Sequence, residues 1–314
     1  MTNKNKKRRS GSRPPASPGE QGPPSAASAA RPGLLSSMFS ARGSGTTNMP
    51  RVRTSFARGL SLVSSTPALL LGSVVVTFLI WLGALAAGFQ GPASLMSSAL
   101  AMPPIGTLFD LQLALEIGTG GTSALLLGLA PSTVVRAVVT GVFLGLSVEV
   151  LETGRATVSG ARRGLLAAPV IVIVIVIEVG FLFVANIVGS IVGQGLSLFV
   201  QVAAVAAAVY LLGYAPVSRL REGSGLLESL SRGAAAARIP GSSALAMALL
   251  YTVPAMFLQI PVGGYDVNPS PQIWGFILFV NILHVAALAT YAYRWMCVED
   301  EVPEFAGRPR TGRR

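Results

Sequence analysis

The feature that most constrains this fold is a series of long apolar runs that begins at residue 67. Several runs are about 20 residues long, the length that an α-helix needs to cross the ~30 Å hydrocarbon core of a bilayer. Charged residues make up 12% of the chain, against about 25% in ordinary soluble domains. Because backbone polar groups must bond one another inside lipid, these runs predict an all-α protein built as a polytopic transmembrane helix bundle.

The runs predict six spans within a transmembrane bundle that covers residues 67–296. They are expected at about 67–89, 109–130, 167–189, 196–214, 243–262 and 273–295. The two longer loops that this count places outside carry no Lys or Arg, whereas the loops placed inside carry several Arg. Cytoplasmic loops are enriched in Lys and Arg, so the span count and the orientation support each other.

A further apolar segment, 131–152, is long enough to form a seventh span. The loop that follows it carries three arginines, namely Arg155, Arg162 and Arg163. A crossing at 131–152 would place these arginines outside and invert every later loop. At 100° per residue its polar residues also fall on one side; they are Ser132, Arg136, Thr140 and Ser147. We therefore predict that 131–152 is an interfacial or re-entrant helix that stays on the cytoplasmic face.

The segments outside the bundle are basic. Residues 1–50 are rich in Ser, Pro and Gly and hold all three lysines, so we predict a disordered tail. Residues 51–66 are predicted to form an amphipathic lead-in at the membrane interface. With the basic C-terminal tail, 297–314, the pattern places both termini in the cytoplasm of a multi-pass protein of the cytoplasmic (inner) membrane. The chain's bias toward Arg, Ala, Gly and Val suggests a prokaryotic source.

The net charge of +11 predicts contact with anionic lipid, as well as retention of the tail inside. Nucleic-acid binding is not expected, because the tail lacks the regular aromatic residues that stack on bases.

Small residues in 201–213 and 233–248 allow close helix contact, and they predict a compact bundle, a homo-oligomer or protein partners. A belt formed by Tyr291, Tyr293, Arg294 and Trp295 is expected to anchor the last helix.

Motifs of soluble enzymes are missing from the sequence. It contains no GxxxxGK[ST] phosphate loop, no HExxH, no CxxC and no GxSxG. With one cysteine, Cys297, and one histidine, His284, an intrachain disulfide is excluded and a Cys/His metal site is close to excluded. We therefore expect no catalytic residues, no cofactor and no bound metal.

Polar residues at membrane depth are the candidate site, because each is costly there and is usually satisfied or functional. Glu178 lies near the middle of its predicted span, and Asn281 and His284 share a face of the last one. Asn186, eight residues after Glu178, is expected on roughly the same side. If the two faces meet, Glu178 and His284 could form a proton or cation site. The alternative is a structural hydrogen bond between helices.

Asp110 and Glu116 form a second candidate at the start of the second predicted span. Gln112 and Glu116 are four residues apart and share a helix face. An acidic outer vestibule for a cation is one interpretation of this group. The other is an acidic helix start in a re-entrant entry to the membrane.

Two segments, 149–166 and 222–242, each run from an acid through arginine and small residues into a new span. Each is predicted to form an amphipathic helix on the cytoplasmic face. The stretch that includes the second segment begins with Ala215-Pro216 and continues with Arg221-Glu222-Gly223. It then runs from Leu227 to Arg232-Gly233 and on to Ala236 and Arg238.

This pattern resembles the cytoplasmic helix of six-span integral membrane proteins related to the membrane domain attached to some glycerophosphoryl diester phosphodiesterases. The resemblance covers about residues 150–296 and implies a six-span architecture. The chain departs from the family at Ile239-Pro240-Gly241, where the family often has an aromatic residue. The phosphodiesterase catalytic domain has no counterpart here, so its activity does not carry over.

Three functions are compatible with these observations. The first is a non-enzymatic scaffold, assembly factor or accessory subunit of a membrane complex. The second is a small transporter or channel that uses Glu178, His284 and Glu116. The third is a membrane-embedded lipid-modifying enzyme, against which the lack of convergent catalytic groups counts.

Overall fold

The computed structural model describes residues 49–86, 122–239, 242–259, 271–302 and 305, and these residues form helices joined by short connections. In chain order the helices are α1 Val52–Ser65, α2 Pro67–Ala86, α3 Thr122–Thr153, α4 Val158–Gly164, α5 Ala168–Val192, α6 Gln194–Leu212, α7 Ala215–Glu222, α8 Leu226–Ala237, α9 Ala244–Gln259 and α10 Pro271–Glu301. A 3₁₀ turn, Leu165–Ala167, joins α4 to α5. No strand occurs in the described ranges, as the sequence predicts.

Three stretches of described helix are long and apolar enough to cross a membrane. They are Thr133–Thr153, Val158–Val192 and Leu196–Glu222. A fourth is added if α1 and the following Pro67–Leu79, which meet at 81°, count as one broken span. The described helices therefore belong to a helical membrane protein. The count of six spans and the orientation of the termini stay predictions.

The sequence places a boundary at residue 130, between the predicted span 109–130 and the interfacial or re-entrant segment 131–152. α3 is one continuous helix through that position. The polar side of α3 is buried, since Arg136, Thr140 and Ser147 are 4%, 0% and 0% exposed. This side contacts neighbouring helices instead of the membrane surface. Spacing alone shows that polar residues share a side, but not what that side faces.

α1 packs along α10 in the opposite direction. Ser55 lies beside Arg294, and one turn later Gly59 lies against Thr290 and Ala286. A Cβ atom added at Gly59 would lie 2.3 Å from Thr290 Oγ1 and 2.5 Å from the Ala286 carbonyl oxygen. Only glycine permits this approach, so the segment predicted as an interfacial lead-in includes a tight helix–helix contact.

The two segments with similar sequences form similar hairpins. In each, a helix ends at a glycine with positive φ, Gly154 at 74° and Gly223 at 68°, and a short helix follows. Those short helices are α4 and α8, which pack back on α3 and α7 respectively. Left-handed backbone is routine only for glycine, which explains why both segments have glycine after the acid. Their place on a cytoplasmic face stays a prediction.

The core lies where α3, α5, α6 and α10 meet, with α9 packed mainly on α6. Buried small residues allow this packing, among them Ala208 on α6 and Ala236 on α8. The small-residue runs are thus partly used inside the chain. A homo-oligomer or protein partner that uses the rest of these faces stays a prediction.

Candidate functional site

His284, on α10, is hydrogen-bonded to Tyr251 on α9. The Tyr251 Oη to His284 Nδ1 distance is 3.0 Å, and the two rings meet edge to face with centroids 6.1 Å apart. His284 is 6% exposed. The sequence suggested Glu178 as its partner, but the structure gives His284 a tyrosine on another helix. Nothing in the sequence spacing pointed to Tyr251.

Asn281, one turn before His284, bonds in a different direction. Its Nδ2 donates to Thr77 Oγ1 on α2 at 3.0 Å, and Thr77 donates in turn to the Ser73 carbonyl at 2.7 Å. Asn281 and His284 thus lie on one part of α10, as predicted, yet they connect it to two separate helices. Both residues join helices across the bundle interior.

Glu178 lies on α5 and is 0% exposed, and α3 packs on both α5 and α10. Arg136 of α3 is buried in the same region. Arg136 lies near both Tyr251 and His284, and Glu178 lies near Tyr251. We call Arg136, Glu178, Tyr251 and His284 the polar centre. Four helices contribute to it, so the structure brings Glu178 and His284 into one neighbourhood.

Asn186 is not part of the polar centre. It is exposed, and its Oδ1 accepts from Gln201 Nε2 at 2.7 Å, which links α5 to α6. Eight residues span two full turns plus about 80° of rotation. That rotation is enough to place Glu178 inside the bundle and Asn186 outside, so the prediction of a shared side is wrong. The acidic candidates Asp110 and Glu116 lie outside the described residues.

The sequence did not reveal that Arg294 is buried. Its guanidinium is 0% exposed and donates to Tyr214 Oη at 3.1 Å, to the Pro50 carbonyl at 3.0 Å, to Ser55 Oγ at 3.0 Å and to the Ser242 carbonyl. It thereby joins α10 to the start of α1, the end of α6 and the start of α9. The predicted aromatic and basic belt suggested an anchor in the membrane interface, whereas Arg294 anchors helices to one another.

Close to Arg294, charged residues join four helices in an ion-pair network made of Glu152, Arg163, Arg221 and Glu299. Arg163 pairs with Glu152 at 2.6 Å, and Arg221 pairs with both Glu152 and Glu299. Trp295 Nε1 donates to Glu299 at 2.8 Å. The network connects α3, α4, α7 and α10 at one end of the bundle.

A cavity of about 280 Å³ separates α9 from α10, and α1 forms its third wall. Its lining is apolar and includes Phe56, Leu250 and Leu283, with Tyr251 and His284 bridging the gap. We call this cavity the lateral cleft, since Leu250 in its wall is 53% exposed on the outside of α9. Among the described residues no group of three or more His, Cys, Asp or Glu is placed to hold a metal ion.

No protein-family model, curated protein or solved structure matches this chain. The resemblance to the membrane domain attached to glycerophosphoryl diester phosphodiesterases therefore stays a prediction.

Proposed function

We propose that this protein is a non-enzymatic, multi-pass membrane protein that serves as a scaffold, assembly factor or accessory subunit of a membrane complex. In this proposal it has six spans, and both termini lie in the cytoplasm. The observation that carries the proposal is that polar side chains inside the bundle bond one helix to another. His284 bonds to Tyr251 and Asn281 to Thr77, so each joins two helices.

Arg294 and the ion-pair network support the same role. Together they fix the ends of several helices relative to one another at one end of the bundle. A surface held by such cross-links keeps one shape, and a preorganised surface loses less entropy when a partner binds. We place the partner-binding surface at this end. Exposed Arg155 and Arg162 would contribute charge to it.

The test is purification of the tagged full-length chain from its native membrane in a mild detergent. A partner recovered in fixed ratio over repeated preparations supports the proposal. The variant Arg155→Glu/Arg162→Glu should reduce the recovered partner, while Asn186→Ala, remote from this end, should not. Repeated isolation of the intact chain alone would count against a scaffold.

A transporter or channel that uses Glu178, His284 and Glu116 is the second candidate. The observation that favours it is a pair of buried hydroxyls near the polar centre. Tyr291 Oη and Thr252 Oγ1 have no hydrogen-bond partner in the described part of the chain, and Glu178 lies near Tyr291. Buried polar atoms are rarely left unpaired, so in this second proposal the two hydroxyls would bond the transported ion or its water.

Flux measurements in proteoliposomes separate the two candidates. Glu178→Gln and His284→Ala should abolish proton- or ion-coupled flux if the polar centre carries it. Asn186→Ala is the matched control, because Asn186 is a polar residue of α5 on the outside of the bundle. Normal flux in both test variants, or no flux in the wild type against a broad panel of ions, would remove the transporter.

A further inference from the structure

The lining of the lateral cleft leaves almost no hydrogen-bonding group free for a water molecule. Tyr251 and His284 bond each other, and the Thr290 hydroxyl donates to the Ala286 carbonyl at 2.7 Å. The rest of the lining is apolar, including Phe56 and Pro254. A bound water needs two to four polar partners. An apolar occupant therefore suits the cleft better than water does.

The length of the cleft along α10 is close to the thickness of one leaflet's hydrocarbon layer. Its wall on α10 runs from Val280 to Thr290, a rise of about 15 Å. The hydrocarbon core is ~30 Å thick, so this wall covers about half of it. Leu249 and Leu250, on the outside of α9, are 44% and 53% exposed. In a membrane that surface would meet lipid chains.

Positive charge lies at one end of the cleft. α1 lines the cleft through Val52 and Phe56, and it contains no Asp or Glu. Arg51 and Arg53 are exposed at its start, and Arg53 neighbours Phe56 on the helix surface because the two are three residues apart. Since α1 runs opposite to α10, these arginines lie toward the Thr290 end.

We propose that the lateral cleft binds one acyl chain of an anionic phospholipid, and that Arg51 and Arg53 hold its phosphate headgroup. The acyl chain packs against α1, α9 and α10. It fills the space between α9 and α10 beside the Tyr251–His284 hydrogen bond that joins them. Arg side chains suit this role because they present several donors to phosphate oxygens. The proposal is independent of whether the protein is a scaffold or a transporter.

The experiment uses the full-length chain in phosphatidylcholine vesicles that contain a trace of phospholipid with a photoactivatable group in its acyl chain. The probe is either phosphatidylglycerol or phosphatidylcholine. We expect the anionic probe to label Leu283, in the cleft, at least about tenfold more than the neutral one does. Phe279, which is 52% exposed outside the cleft, is the internal reference and should take up both probes equally.

Two matched pairs of variants locate the site. Leu250→Trp narrows the cleft and should lower the labelling of Leu283 at least about tenfold, whereas Leu249→Trp, on the neighbouring exposed leucine outside the lining, should leave it unchanged. The double variant Arg51→Gln/Arg53→Gln should remove the preference for the anionic probe. Arg155→Gln, at an exposed arginine that follows α3 and does not line the cleft, should keep that preference.

Three results would overturn the proposal. One is equal labelling of Leu283 by both probes in the wild type. Another is labelling that Leu250→Trp does not change. The third is a chain-to-chain crosslink from a photoactivatable residue introduced at position 250, which would make a second copy the occupant.

Discussion

The two halves of α10 are held in different ways. Near its C-terminal end, Arg294 and Glu299 bond to groups from α1, from α7 and from the short connection between α6 and α7, and this part of the helix is mostly buried. Between Val280 and Ala287 the same helix faces the lateral cleft on one side, where His284 and Tyr251 form the bridge. One half is fixed by several charged contacts, whereas the other half borders a cavity that the Tyr251–His284 hydrogen bond crosses.

This difference shows that a buried polar residue in a membrane helix can bond several segments at once or join one pair of helices. A buried guanidinium can serve several backbone carbonyls at once, because it carries five donors. The His284 side chain, by contrast, bonds to Tyr251 on one other helix. The following four changes test whether the charged half contributes more to stability than the cleft half.

The largest effect is expected for Arg294→Met. It leaves Tyr214 Oη, Ser55 Oγ and the carbonyls of Pro50 and Ser242 without their donor. Each buried polar group left unpaired costs about 1–3 kcal/mol, so the free energy of unfolding in detergent should fall by at least about 3 kcal/mol. Arg155→Met, at an exposed arginine, should change it by less than about 0.5 kcal/mol. Equal effects would contradict the special position of Arg294.

Gly59→Ala should come next. The added methyl group would meet Thr290 Oγ1 and the Ala286 carbonyl, so α1 must move away from α10. Overpacking of this kind costs about 1–3 kcal/mol. Gly180→Ala is the matched control, since a Cβ there has no heavy atom within 4 Å. Thermal unfolding of both variants measures the difference, and a stable Gly59→Ala protein would show that the contact is not as tight as described.

Arg221→Met should have a smaller effect, because Arg221 is 24% exposed and its pairs are partly screened by solvent. We expect a loss of about 1 kcal/mol that shrinks as salt is added. A double-mutant cycle with Glu299→Gln isolates the pair. A loss that does not depend on salt would mean that packing, and not charge, is what the variant removes.

Tyr251→Phe should have the smallest effect. It removes the hydrogen bond to His284 and keeps the ring, and such bonds between membrane helices contribute about 0.6 kcal/mol on average. Tyr210→Phe on α6 is the control, as Tyr210 is partly buried and packs against the core. If Tyr251→Phe destabilises the protein more than Arg294→Met does, the comparison between the two halves of α10 fails.

The sequence predicted some helices well and others poorly. α5 and α6 lie close to the predicted 167–189 and 196–214, because dense apolar runs meet at Gly193, whose φ of 94° suits glycine. α3 continues through the boundary placed at residue 130, because charged residues in loops indicate topology and not where a helix ends. The partners of His284 and Arg294 could not be predicted either, since they lie 33 to 244 residues away along the chain.

The position of Arg294 has a consequence for the order in which the protein is made. Its acceptor at Pro50 precedes it by 244 residues, and its acceptor at Ser242 precedes it by 52. At a synthesis rate of about 5–20 residues per second, the segment before α1 would wait about 10 to 50 s for this donor. The beginning of the bundle is therefore completed by α10, which is the last of the described helices to be synthesised.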